Sequence, residues 1–89
     1  LEELRSKIDQ IDNELLAQIA NRIEITREIG SYKKENEVTP FQLHRWKEIL
    51  GTRKPYAKSL GLDADFTDKL LQVLHDESIK VQSSILNKK

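Results

Sequence analysis

From Leu1 to about Asn36 the chain carries no proline and a single glycine, Gly30. Counted in heptads from Leu1, the a positions are Leu1, Ile8, Leu15, Arg22 and Ile29, and the d positions are Leu4, Ile11, Gln18, Ile25 and Tyr32. Eight of these ten are apolar, so the segment reads as one long helix with a coiled-coil-like face. At 1.5 Å per residue it is about 50 Å long. A compact monomer of this size has a radius of gyration of only about 12 Å. Such a helix projects, and its seam has to be covered. The economical cover is a second copy of the chain, giving an intertwined helical homodimer.

Two shorter helices are expected after it. Thr39 suits an N-cap, Pro40 the first helical position, and Gln42 a capping box. The helix they open carries Phe41, Arg45, Trp46, Ile49 and Leu50. A kink or break is expected between Gly51 and Pro55, with a resumed turn that ends on Gly61 as C-terminal cap. The last helix starts with Asp63 as N-cap and runs to about Asn87, its apolar positions supplied by Phe66, Leu70, Val73, Leu74, Ile79, Val81 and Ile85. The fold class is therefore all-α, with one long and two shorter helices in a single domain, 1–89.

Composition removes several functions. The 15 Lys and Arg balance the 15 Asp and Glu, whereas a nucleic-acid binder of this size is normally basic. There is no cysteine, which excludes disulfides, thiolate chemistry and cysteine metal sites. His44 and His75 fit no zinc spacing, so neither a metal nor a cofactor is expected. No apolar run reaches the length of a membrane span or reads as a signal peptide, and a cytoplasmic setting is expected. From the start at Leu1 rather than Met, either a trimmed sequence or a domain cut from a longer polypeptide is expected.

The polar residues that interrupt the apolar pattern carry the information about function. Arg22 occupies a seam position, where a charge is costly unless paired. It is explained by a partner carboxylate, by a side chain that snorkels out to solvent, or by a polar pocket that takes an anion. Lys33 lies 11 residues further on, within roughly 20° of the same face and about 16 Å along it; alone, it reads equally as a solvated lysine. Arg5, 17 residues before Arg22, is about 100° around the helix and cannot serve that pocket from its own chain, though it can serve a partner's. Arg45 reads by itself as a surface arginine. Ser78 and Gln82 share a helix face, and Gln82 is an inward polar residue or a core-edge one. His44 and His75 read as interface or surface residues, and Trp46 as core. Together these are several cations and one neutral amide, with no nucleophile–base pair, an arrangement suited to a dianionic ligand.

At this point the sequence resembles chorismate mutase of the all-helical class. The resemblance covers nearly the whole chain: Leu4-Arg5, Ile8-Asp9, Ile11-Asp12 and Leu15-Leu16, then Arg22, Glu28-Ile29-Gly30 with Lys33, Arg45, Leu60-Gly61-Leu62-Asp63, and Glu77-Ser78 through Gln82. It implies that Arg5 crosses the dimer to a substrate carboxylate and that Arg22 binds a carboxylate in its own pocket. It further implies that Lys33 donates to a carboxylate and to the ether oxygen, and that Gln82 is the second donor to that oxygen. Arg45 completes the cationic lining and Ser78 lies nearby. The implied reaction, chorismate to prephenate in aromatic amino-acid biosynthesis, is a unimolecular rearrangement. It needs the substrate held folded and donors aimed at the breaking C–O bond, and no cofactor.

Two positions depart from the family pattern: Gln42 stands where an acidic residue is usual, and Trp46 where a Glu contacts the ring hydroxyl. The alternatives are an isochorismate-pyruvate lyase on the same fold, or a weakly active regulatory mutase domain excised from a fusion with DAHP synthase, the first shikimate-pathway enzyme. A plain helical dimerisation domain explains the seam but not Arg22 within it.

Overall fold

In the computed structural model, which describes residues 1–88, three α-helices follow in order: α1 Glu2–Glu35, α2 Leu43–Ser59 and α3 Ala64–Leu86. Helix α1 has Glu2 and Glu3 in its first turn and Lys33 and Lys34 in its last, charges that oppose the helix dipole at both ends. It stops where Glu37 turns left-handed (φ 56°). There Val38 N–H donates to Lys33 O at 2.8 Å and Glu37 N–H to Lys34 O at 3.4 Å, closing a Schellman cap without a glycine.

Helix α2 begins at Leu43, three residues later than the Thr39 cap predicts. The acceptor explains the shift: Pro40 O, which helical continuation needs four residues on, accepts instead from Lys33 Nζ at 2.6 Å. Thr39 Oγ1 donates to Phe41 O at 3.2 Å rather than capping an N–H. Gln42 is the N-cap residue, with no side-chain cap bond, so the expected capping box does not form.

The expected break between Gly51 and Pro55 does not occur either; α2 runs through Pro55. Proline removes one backbone bond and crowds the preceding turn. The turns around it are held by Lys54 Nζ paired to Asp68 of α3 at 3.0 Å and by the buried Ala57. The expected cap at Gly61 does form: at φ 81°, Gly61 N–H reaches Lys58 O at 3.0 Å and Leu62 N–H reaches Ala57 O at 3.1 Å. Asp63 then caps α3, one carboxylate oxygen accepting from Phe66 N–H at 2.9 Å.

Helices α1 and α2 each pack on α3 and not on each other. The stripe of α1 turned to α3 contains the small residues Thr26 and Gly30, both buried. A Cβ on Gly30 would meet Gln82 Cα at 3.2 Å and Ile85 Cδ1 at 3.1 Å, so the two helices approach closely enough that any side chain there would make a neighbour shift.

The chain is extended, 52 × 26 × 14 Å with a radius of gyration of 15.9 Å. Among the described residues, Ala57 and Leu71 are the buried hydrophobic ones. The front of the α1 seam (Leu1, Leu4, Ile8, Ile11 and Leu15) stays 56–78% exposed. No helix among the described residues is long and apolar enough to cross a membrane.

Candidate active site

The cleft left between α1 and α2, floored by α3, is a cavity of about 400 Å³. Helix α1 contributes Arg22 and Lys33 with Ile25 and Ile29 between them, and α3 contributes His75, Ser78 and Gln82. From α2 come Arg45, Ile49 and Arg53, spaced four residues apart on one face. Among the described residues no carboxylate lines this cavity.

The cations are held in different ways. Arg22 Nη1 donates to Ser78 Oγ at 2.6 Å and to Leu74 O at 3.4 Å, which ties the guanidinium across to α3. Its pKa is lowered, first by burial and then by the positive charges of Arg53 and Arg45. Lys33, bonded to Pro40 O, has its pKa lowered by burial. Arg45 pairs with Glu48 one turn along α2.

The Gln82 side chain is buried, and its Oε1 has no hydrogen-bond partner. That leaves the Gln82 carbonyl oxygen as a buried acceptor without a donor, which costs free energy unless a donor reaches it.

Of the residues singled out from the sequence, the structure brings Arg22, Lys33, Arg45, Ser78 and Gln82 to one cavity. Arg5 lies outside it, exposed and 3.5 Å from Glu2. One reading changes: His75, expected at the surface or an interface, lines the cavity. Trp46, expected in the core, is half-buried and stacks on the His75 ring, centroids 4.1 Å apart at 25°, with the Phe41 ring edge-on to His75 at 5.6 Å. Arg53, which the sequence reading does not single out, also lines the cavity. The spacing Arg45–Ile49–Arg53 was the available signal, and likewise the His75–Ser78–Gln82 spacing on α3.

The profile of the family described as chorismate mutase type II matches residues 4–83. The chain belongs to that family. The match spans all three helices and every cavity-lining residue named above. Among curated relatives, the chain is 29% identical over 82 residues to a 4-amino-4-deoxychorismate mutase of Streptomyces pristinaespiralis, covering 92% of this chain and 64% of that protein. It is 30% identical over 83 residues to the bifunctional chorismate mutase/prephenate dehydratase of Escherichia coli, covering 93% of this chain but 22% of the enzyme. It is 28% identical over 86 residues to a chorismate mutase of Methanocaldococcus jannaschii, covering 97% and 87%. The chain thus spans less than two thirds of the length of the first two of these relatives. No solved structure gives a significant match.

Proposed function

We propose that this chain is a chorismate mutase that rearranges chorismate to prephenate. The observation that carries the proposal is the cavity of four cations and two amides, Gln42 and Gln82, with no carboxylate on its wall among the described residues. Arg22 and Arg45 hold the two carboxylates of the dianion, bidentate where the geometry allows, while Ile25 and Ile29 cover the ring. Lys33 and Gln82 donate to the ether oxygen as the C–O bond breaks and negative charge grows there. Ser78 orients Arg22. Holding the flexible enolpyruvyl arm over the ring contributes the entropic part of the rate.

A 4-amino-4-deoxychorismate substrate, as in the name of one relative, carries an amino group. The wall offers no carboxylate to receive an ammonium, which favours the hydroxyl substrate.

The reading includes a homodimer in which the exposed α1 seam is covered by a second copy and Arg5 reaches the partner's cavity. It also includes a cytoplasmic setting and a fused or associated DAHP synthase domain. A fusion is in keeping with a relative whose printed name joins a mutase to a second enzyme.

The test is the loss of chorismate absorbance with purified protein and identification of the product. Prephenate whose formation disappears in Lys33→Ala is the expected result. Pyruvate with salicylate from isochorismate, or turnover of the 4-amino substrate alone, overturns it.

A further inference from the structure

The cavity holds one more cation than the resemblance accounts for. Arg53 lies two turns beyond Arg45 on the same face of α2 and lines the same cavity. Its recorded hydrogen bond is to the neighbouring Thr52 Oγ1 at 2.8 Å, and no carboxylate pairs with it among the described residues. Arg45 by contrast is already paired to Glu48. Arg22 from α1 and Arg53 from α2 line the same cavity, and after burial the positive charge of Arg53 is the next cause of the lowered Arg22 pKa. Like charges held together without a counter-ion are unfavourable, and an anion between them removes the cost.

We propose that Arg53 is a substrate-binding residue that, together with Arg22, clamps a carboxylate of the bound dianion. This rests on the mutase reading for the identity of the dianion and on the cavity alone for its charge. Because the carboxylates are present in both substrate and transition state, Arg53 contributes uniform binding: it lowers KM and leaves kcat nearly untouched.

The experiment compares wild type, Arg53→Leu, Arg53→Lys and Lys47→Leu, the last a charge-matched change outside the cavity. Each is measured for steady-state kinetics on chorismate, for calorimetric binding of malate as an unreactive dicarboxylate, and for helicity by circular dichroism. Arg53→Leu is expected to raise KM and the malate Kd roughly tenfold, with kcat within about threefold. Arg53→Lys should fall between, since it keeps the charge but loses the planar fork. An Arg53→Leu protein that matches Lys47→Leu in KM and malate binding overturns the assignment and leaves the mutase reading standing. A fall in kcat at unchanged KM overturns it also. If wild type binds malate but does not turn over chorismate, the mutase reading fails, and the malate series alone decides Arg53: weakened binding in Arg53→Leu upholds it, unchanged binding removes it.

Discussion

Gly30 of α1 lies against the backbone of Gln82 on α3, and a methyl group added to it would stand 3.2 Å from Gln82 Cα and 3.5 Å from Gln82 Cγ. The residue that aims an amide into the cavity is thus placed by the absence of a side chain on the facing helix. Gly30→Ala gains about 1 kcal/mol of helix propensity but forces the helices apart, which costs about 1–3 kcal/mol. Since the obstructing atom is backbone, the steric term wins. A net destabilisation of about 1 kcal/mol is expected, with a larger fall in kcat than in stability, measured by denaturant melts beside kinetics. Gly51→Ala is the control: nothing lies within 4 Å of its added methyl group, so it should stabilise α2.

Arg22 distinguishes function from scaffolding. Burial and the charges of Arg53 and Arg45 oppose its ionised form, and its fixed partner is the hydroxyl of Ser78. Arg22→Leu removes the hydrogen bonds to Ser78 Oγ and Leu74 O, each worth about 1 kcal/mol, and relieves desolvation and repulsion. Stability should stay within about 1 kcal/mol of wild type, while kcat/KM falls at least roughly 100-fold. A folded, active Arg22→Leu protein overturns the site assignment.

The depressed Lys33 pKa sets an alkaline limit. Burial disfavours the ammonium, so the uncomplexed protein loses this donor at a pH below the ordinary lysine value of 10.5. The alkaline limb of kcat/KM is expected below that value. The limb of kcat should lie higher, because a bound dianion favours the charged form. The linkage has a matching sign: between the lowered folded pKa and the ordinary one the unfolded chain binds more protons, so the Lys33 contribution to stability rises with pH across that window. Lys33→Gln should abolish both effects, read from pH–rate profiles and from melts at alkaline pH.

The exposed front of the α1 seam is the feature most dependent on a second copy. Ile8 and Ile11 are 57% and 56% exposed, and fully burying such a side chain is worth about 1.5–3 kcal/mol. Ile11→Glu places the change twice in a two-fold interface. It should dissociate the protein in sedimentation, lower its thermal midpoint and remove activity. A variant that sediments and melts like wild type would rule out the seam as the dimer contact.

Much of this protein is written locally. The heptad phase of Leu1 to Tyr32 determines a long helix because apolar periodicity is a property of neighbouring turns. Gly61 and Asp63 end one helix and start the next through bonds to residues within three or four positions. Arg22 and Lys33 fall on one stripe by helical geometry alone, and Ser78 and Gln82 likewise. The remainder depended on contacts between distant segments. Helix α2 starts at Leu43 because Lys33 takes the Pro40 carbonyl. It continues through Pro55 where Asp68 holds Lys54 from α3, and that continuity brings Arg53 into phase with Arg45. His75 faces the cavity with Trp46 stacked upon it, which neither residue's neighbours in sequence could dictate. Helix periodicity and caps are decided by bonds within a turn or two. The start of α2, its passage through proline and the convergence of four cations are decided by competition for acceptors and packing between helices, which exists only once the chain has folded.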